Sequence, residues 1–353
     1  MARKKTAFVT GGAGFIGSHL SELLLNESWE VKILIRKGEM PKQYSDSVYP
    51  EVIEMLKGKG AKIFYGDLRD LNSFKDDIGK IDIMFHVAGI AYPYFGLSDK
   101  VYFEVNTQAT KNLANFCSEL GVKRFVYFSS IEAAGPSLDG KPLVEGSSRH
   151  PTDAYGESKK ASEDFLKELG KKSKMGISIV RPPMTYGERS PLLARLFQFV
   201  DKGFFPMFGK GNALFEFCYV KNLVYGVYLV GIGEKSIGET YFVSEGSYKI
   251  IEVIKNIAEV MKKKIKIIYI PKTPAYMLGI FMEFLNKIFP FYPFRGKQTG
   301  SPYFSRKTVD WVTNDMYLCS IDKLKSDLGY EPPYTQEEGI KRSVAWYTEK
   351  GYI

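Results

Sequence analysis

Thr10-Gly11-Gly12-Ala13-Gly14-Phe15-Ile16-Gly17 stands between an apolar run, Ala7 to Thr10, and an amphipathic run, Phe15 to Leu25. Apolar residues in a short block followed by helical spacing predict a strand, a tight turn and a helix. Glycines spaced through such a turn let the chain reverse, let the backbone approach a ligand, and let the helix start close against the strand. The first turn of a helix presents unpaired N–H groups and the positive end of the helix dipole, a ready seat for a pyrophosphate. The stretch therefore predicts a dinucleotide cradle at Gly11, Gly14 and Gly17, with Phe15 and Ile16 in the first helical turn.

The same alternation continues outward. Val31 to Arg36, Ala61 to Tyr65, Ile81 to Val87, Arg124 to Phe128 and Ile177 to Arg181 read as further strands, and Ala109 to Leu120 and Tyr155 to Leu169 as helices between them. Buried apolar strands alternating with helices predict an α/β fold, a Rossmann-type doubly wound parallel sheet. After Arg181 the rhythm changes: Pro182-Pro183 breaks the chain, and Gly, Phe and Pro cluster between Gly203 and Gly211. The pattern predicts a nucleotide-binding domain over 1–182 with a returning segment at about 218–245. A smaller C-terminal α/β substrate domain would take 183–217 and 246–353. In the returning segment, Val220 to Val230 reads as a helix and Thr240 to Val243 as a strand; in the substrate domain, Ile250 to Met261 reads as a helix and Ile265 to Ile270 as a strand.

The 353 residues are 44% hydrophobic and 25% charged, enough for a packed core. No apolar block near Met1 has the length of a signal sequence, and no long uncharged run would span a bilayer. The most apolar stretch, Ala275 to Phe294, is interrupted by Glu283, Lys287 and two prolines, and is a candidate for peripheral membrane contact instead. Cys117, Cys218 and Cys319 are odd in number and far apart, which argues against disulfides or a zinc site and for a reducing, cytoplasmic setting. A formal charge of +9 either draws an anionic ligand or decorates solvent faces with lysine. No nucleic-acid-binding module accompanies it.

Tyr155-Gly156-Glu157-Ser158-Lys159 places Tyr and Lys four apart, on one helix face. A free tyrosine has a pKa of about 10, and a neighbouring ammonium favours its phenolate. Tyr155 can then act as general acid or base on a substrate oxygen. Together with the Gly-x-x-Gly-x-x-Gly spacing, this pair resembles the extended branch of the short-chain dehydrogenase/reductases, the NAD-dependent epimerase/dehydratase family. The resemblance covers nearly the whole chain, including Leu328-Gly329-Tyr330-Glu331-Pro332 near its end. It implies an enzyme in which hydride passes between a substrate carbon and a nicotinamide. Ser130, counted back from Gly135 in Ser129 to Gly135, matches the catalytic hydroxyl, with Ser129 as its neighbour and rival. Tyr155 and Lys159 match the other two catalytic members. Asp67 and Leu68 match the adenine-contacting pair. Val87, Ala88 and Gly89, after His86, match the loop along the cofactor. Asn106 steadies that region, Lys159 also holds the ribose, and Pro182 lies beside the nicotinamide. Homodimers are common among such proteins.

Arg36 stands 19 positions after Gly17, where an acid would grip the ribose hydroxyls of NAD. A guanidinium there, followed by Lys37, favours NADP over NAD, because it attracts a 2′-phosphate; it also stacks on adenine. For the substrate, the resemblance separates branches. Sugar-nucleotide enzymes usually carry Asn where this chain has Met184 and Arg where it has Phe215. Dehydratases follow the catalytic hydroxyl with Asp-Glu, where this chain has Ile131-Glu132. The Ser129 to Pro136 loop and Arg181-Pro182-Pro183 look instead like the 3β-hydroxysteroid dehydrogenase and reductase branches. The expectation is hydride transfer at a secondary alcohol or ketone of a small, fairly apolar, steroid-like or lipid molecule. A UDP-glucose 4-epimerase-like activity and a non-catalytic dinucleotide sensor are the alternatives.

Overall fold

The computed structural model describes residues 3–36, 50–90, 98–190, 193–288, 305–314 and 317–353. Lys37 and residues 289–294 of the apolar stretch lie outside them. In chain order the first half runs β1 (Thr6–Thr10), α1 (Phe15–Asn26), β2 (Glu30–Arg36), α2 (Pro50–Gly58), β3 (Lys62–Gly66), β4 (Ile83–His86) and α3 (Asp99–Tyr102). A π-helical stretch, Phe103–Gln108, joins α3 to α4 (Ala109–Glu119); β5 (Arg124–Phe128), α5 (Ala154–Lys172) and β6 (Gly176–Arg181) follow.

Six of these strands and one later strand form a single sheet. The chain returns through β7 (Met184–Tyr186), α6 (Ala194–Asp201), β8 (Phe204–Phe208), β9 (Leu214–Tyr219), α7 (Val220–Ile232) and β10 (Thr240–Phe242). The order across the sheet is β10-β6-β5-β4-β1-β2-β3, and its pairings are parallel. The strands sit between two apolar layers, and successive side chains of β1 divide between them. Ala7 and Val9 join Leu20, Leu24, Ile33 and Phe85 on one face. Phe8 joins Leu34, Met84, Leu113 and Phe125 on the other. That is the period-two alternation of a strand covered on both faces, and it is why the run reads as continuously apolar. The order reverses direction between β1 and β4. In such sheets this switch point opens a crevice at the carboxyl ends of the strands.

The remaining elements are β11 (Gly246–Lys249), α8 (Ile250–Val260), β12 (Lys266–Ile270), α9 (Lys272–Ile288), α10 (Arg306–Thr313) and α12 (Gln336–Glu349), in the smaller part, and α11 (Asp322–Leu328), which packs against α7 and β10. β9 pairs parallel with β7 and antiparallel with β11, while β8 and β12 form a separate parallel pair. The stretch Gly203 to Gly211, where Gly, Phe and Pro cluster in the sequence, contains strand β8; Pro206 sits opposite Ile268 in it. Among the described residues, no helix is long and apolar enough to cross a membrane.

Candidate active site

The switch-point crevice is lined first by the glycine turn. Gly11 has φ +65, a left-handed conformation, and a Cβ there would stand 3.0 Å from the Ala88 Cα. At Gly17 a Cβ would stand 2.1 Å from the Gly11 carbonyl oxygen. Side chains at these two positions would close the approach of the β1 turn to α1 and to the loop after β4. Gly14 precedes α1 with no side-chain cap, so the N–H groups of the first turn, at Phe15 and Ile16, are left for an anion. The turn therefore fits a dinucleotide pyrophosphate on backbone geometry alone.

Beneath the cradle is a chain of buried hydrogen bonds. His86 Nδ1 lies 2.8 Å from Thr10 Oγ1, and Nε2 lies 2.8 Å from Thr110 Oγ1. Thr10 Oγ1 accepts the Ala88 N–H at 3.2 Å, and Thr110 Oγ1 donates to the Asn106 carbonyl at 2.5 Å. Each hydroxyl has one proton, so this polarity assigns the His86 proton to Nε2. Burial, with the Lys159 charge, pulls the imidazole down to about 3. His86 is thus a neutral strut that ties β1, β4 and α4 together.

Asn106 continues the support. Its Oδ1 accepts the Ile90 N–H at 2.8 Å, and its Nδ2 donates to the Ile90 carbonyl at 3.1 Å and to Ser158 Oγ at 3.0 Å. It lies in the π-helical stretch, a local widening that often accompanies functional sites. A Cβ at Gly89 would come within 2.9 Å of Asn106 Oδ1 and 3.2 Å of Lys159 Nζ. The loop after β4 and the helix α5 therefore meet at Lys159.

Asp153 caps α5, accepting the Gly156 N–H at 2.8 Å, and fixes where its first turn begins. Tyr155 and Lys159 fall on its buried face. Lys159 Nζ donates to the Phe128 carbonyl at 2.7 Å and stands 4.9 Å from the Tyr127 ring centre. Burial draws this ammonium down to about 7, with Glu163 pulling the other way.

The rival serines after β5 have separate partners. Ser129 Oγ donates to Glu163 Oε1 at 2.5 Å. Ser130 Oγ accepts the Glu132 N–H at 3.2 Å, which leaves its own proton for another acceptor. Ile131 N–H donates to the Pro182 carbonyl at 3.0 Å, so the loops after β5 and β6 are fastened to each other.

Glu163 was not among the residues singled out from sequence. It is fully buried, one turn beyond Lys159, and receives Arg181 through Nε (2.9 Å) and a terminal nitrogen (2.6 Å), with Arg149 at 3.1 Å. Burial works against its carboxylate, but Arg181, Ser129 and Arg149 outweigh it and hold its pKa below the usual range. The available signal is its position: residues 155, 159 and 163 share one helix face, and an acid on a buried face requires a cation.

At the far end of the crevice, Arg36 Nε lies 3.7 Å from Asp67 Oδ2. Asp67 also accepts both Arg69 Nε (3.1 Å to Oδ1) and a terminal Arg69 nitrogen (2.6 Å to Oδ2). Hydrogen bonds from Arg69, stronger than the opposing partial burial, and the Arg36 charge hold the Asp67 pKa low. Asp67 is thus engaged by two arginines, and Leu68 packs beside it against the apolar layer of Phe8.

Of the three residues considered for substrate contact, Glu132 lies in the serine loop itself, and Met184 and Phe215 lie on later strands. Met184 on β7 is opposite Phe217 on β9, and the rings of Phe215 and Phe217 are 6.0 Å apart. Glu132 is buried and accepts the Tyr317 hydroxyl at 3.2 Å, a partner from the C-terminal part.

Residues 7–242 match the model of the NAD dependent epimerase/dehydratase family. The chain belongs to that family. It is therefore an NAD-dependent oxidoreductase of the epimerase/dehydratase type. Its similarity extends over full-length relatives of different activity. It is 27% identical to the UDP-glucose 4-epimerase of Vibrio cholerae, over 96% of this chain and 94% of that one. It is 26% identical to the human 3 beta-hydroxysteroid dehydrogenase type 7, over 98% and 96%. Among solved structures, the Thermus thermophilus UDP-glucose 4-epimerase in complex with NAD has the same fold, with a TM-score of 0.72, 22% identity and coverage of 97% and 99%.

Proposed function

We propose that this family member oxidises a secondary alcohol, or reduces the corresponding ketone, on a fairly apolar, steroid-like or lipid molecule, with Tyr155 as general acid/base. The observation that carries the reading is the grouping of Ser130, Tyr155 and Lys159, all buried, at the carboxyl end of β5 and the start of α5. Tyr155 takes the proton from the substrate hydroxyl, or returns it to the ketone oxygen. Ser130 donates its proton to the same oxygen and fixes where it sits. Lys159, held by the Phe128 carbonyl, is one helical turn from Tyr155 and lowers the cost of the phenolate. When bound, a nicotinamide dinucleotide supplies the two-electron oxidant or reductant. Gly11, Gly14, Phe15, Ile16 and Gly17 would hold its pyrophosphate, Val87, Ala88, Gly89 and Pro182 would line its course, and Asn106 steadies the loop after β4.

The apolar class of substrate is supported by Met184, Phe215 and Phe217, which stand together on β7 and β9. NADP is placed ahead of NAD on Arg36, with Arg69 as a second guanidinium beside Asp67. A nucleotide-sugar epimerase is the second reading, and the comparable identity to an epimerase supports it.

A panel of hydroxysteroids, small ketones and UDP-sugars, followed by absorbance of the reduced cofactor, separates the two. A dehydrogenase changes absorbance with every turnover; an epimerase converts a UDP-sugar with no net change. Tyr155→Phe is expected to lower either activity by about a hundredfold or more, and unchanged turnover would remove Tyr155 from the chemistry. Arg36→Ala should lower the preference for NADP over NAD about tenfold, the order of one lost charge-assisted hydrogen bond; equal loss for both dinucleotides refutes the NADP assignment.

A further inference from the structure

Helix α9 is apolar on two sides. Ala275 and Met282 are buried, and Ala275 packs with Phe208 and Val309. Met277, Leu278, Ile280, Phe281 and Phe284 face outward, and the two phenylalanines are 54% and 57% exposed. At the α-helical repeat these five residues cover about 160° of the circumference, without a charge among them. In the strand leading into the helix, Ile268 on one face and Tyr269 on the other are also exposed, at 44% and 55%. A contiguous apolar face of this kind marks a surface that meets something.

Its charge says what. From Val260 to Met282 the chain has five lysines, Lys262, Lys263, Lys264, Lys266 and Lys272, and no Asp or Glu. All five are exposed. Lys263 pairs with Asp201 and Lys272 with Asp310, while Lys262, Lys264 and Lys266 form no ion pair with a described residue. Lys266 shares a face of β12 with Ile268, since side chains alternate along a strand. A second copy of the chain seated here by two-fold symmetry would bring like lysine clusters together. An anionic bilayer supplies both the apolar interior for the phenylalanines and the phosphates for the lysines.

We infer that α9 and β12 form a peripheral docking face for an anionic phospholipid membrane, with the helix lying in the interface. The docking is independent of what the active site turns over. The test is co-sedimentation of the full chain with vesicles of phosphatidylcholine alone, and of phosphatidylcholine mixed equally with phosphatidylglycerol. Two exposed double variants, Phe281→Ser with Phe284→Ser and Lys264→Glu with Lys266→Glu, are compared at equal dinucleotide affinity, which verifies that each is folded. The wild type is expected to bind the anionic vesicles, and salt should weaken that binding. Each double variant should bind roughly tenfold less or weaker still, as expected for two lost apolar anchors or two reversed charges. Equal binding to both vesicle types, or no loss in the variants, overturns the inference. So does a wild-type dimer that ignores vesicles and becomes monomeric in the phenylalanine variant, because the face would then be filled by a second copy.

Discussion

β1 and β12 are both five residues long and both lie in parallel pairings, yet every residue of β1 is buried and none of β12 is. Composition does not explain this: Lys-Ile-Ile-Tyr-Ile is no less apolar than Thr-Ala-Phe-Val-Thr. The difference is in the neighbours. β1 has β2 and β4 on its two edges and an apolar layer on each face. Among the described residues, β12 has only β8 beside it. Chemistry concentrates where strand ends are enclosed on all sides, because there a lysine or a carboxylate is held in one place by its partners. The open strand keeps its apolar residues in reach of other molecules.

The contrast can be broken at several points. The largest effect belongs to the enclosed end: Tyr155→Phe should cut kcat by about 10²–10⁴-fold with the protein still folded, as read by turnover and circular dichroism. Next is Phe8→Ala, whose fully buried ring on β1 should cost roughly 3–5 kcal/mol in denaturant unfolding. A loss below about 1 kcal/mol would mean that β1 is not the enclosed strand described.

A smaller effect comes from Lys159. Its folded value of about 7 lies below the ordinary 10.5. Between those values the unfolded chain holds a proton that the folded protein has released, so this residue's contribution to stability rises with pH across that window and levels off below it. Lys159→Met removes the slope. In nucleotide-free protein, the Tm of the wild type should therefore gain on that of the variant as pH goes from about 7 to 10; a constant difference would show that the amine is not desolvated. The smallest effect is Ile268→Ala on β12, expected within about 0.5 kcal/mol of wild type. A cost like that of Phe8→Ala would show the strand to be covered after all.

Much of the enclosed region was readable in the sequence, for a physical reason. Strands covered on both faces are apolar throughout, and the cradle needs glycine where Gly11 turns left-handed and Gly17 meets the Gly11 carbonyl. The Tyr155–Lys159 spacing follows from the helical repeat alone. Pairings that cross between elements were not readable. Nothing in the spacing joins Glu163 to Arg181 and Arg149, or sets Asp67 between Arg36 and Arg69. The smaller part was harder still. β7 and β11 have only three and four residues, and α9 has apolar residues on both sides, so only its neighbours decide that Ala275 faces in and Phe281 out.

Residues 155, 159 and 163 make α5 a ruler. One turn separates the phenol from the amine, and one more separates the amine from a carboxylate anchored to β6 and, through Ser129, to the loop after β5. A single inserted residue between 159 and 163 would rotate the anchor by about 100° and detach the reacting end of the helix from the sheet. Loops elsewhere can lengthen or shorten, but this helix tolerates substitution and not a change of length. Transplanting the tyrosine and lysine to another scaffold would likewise require the carboxylate and its arginine to travel with them.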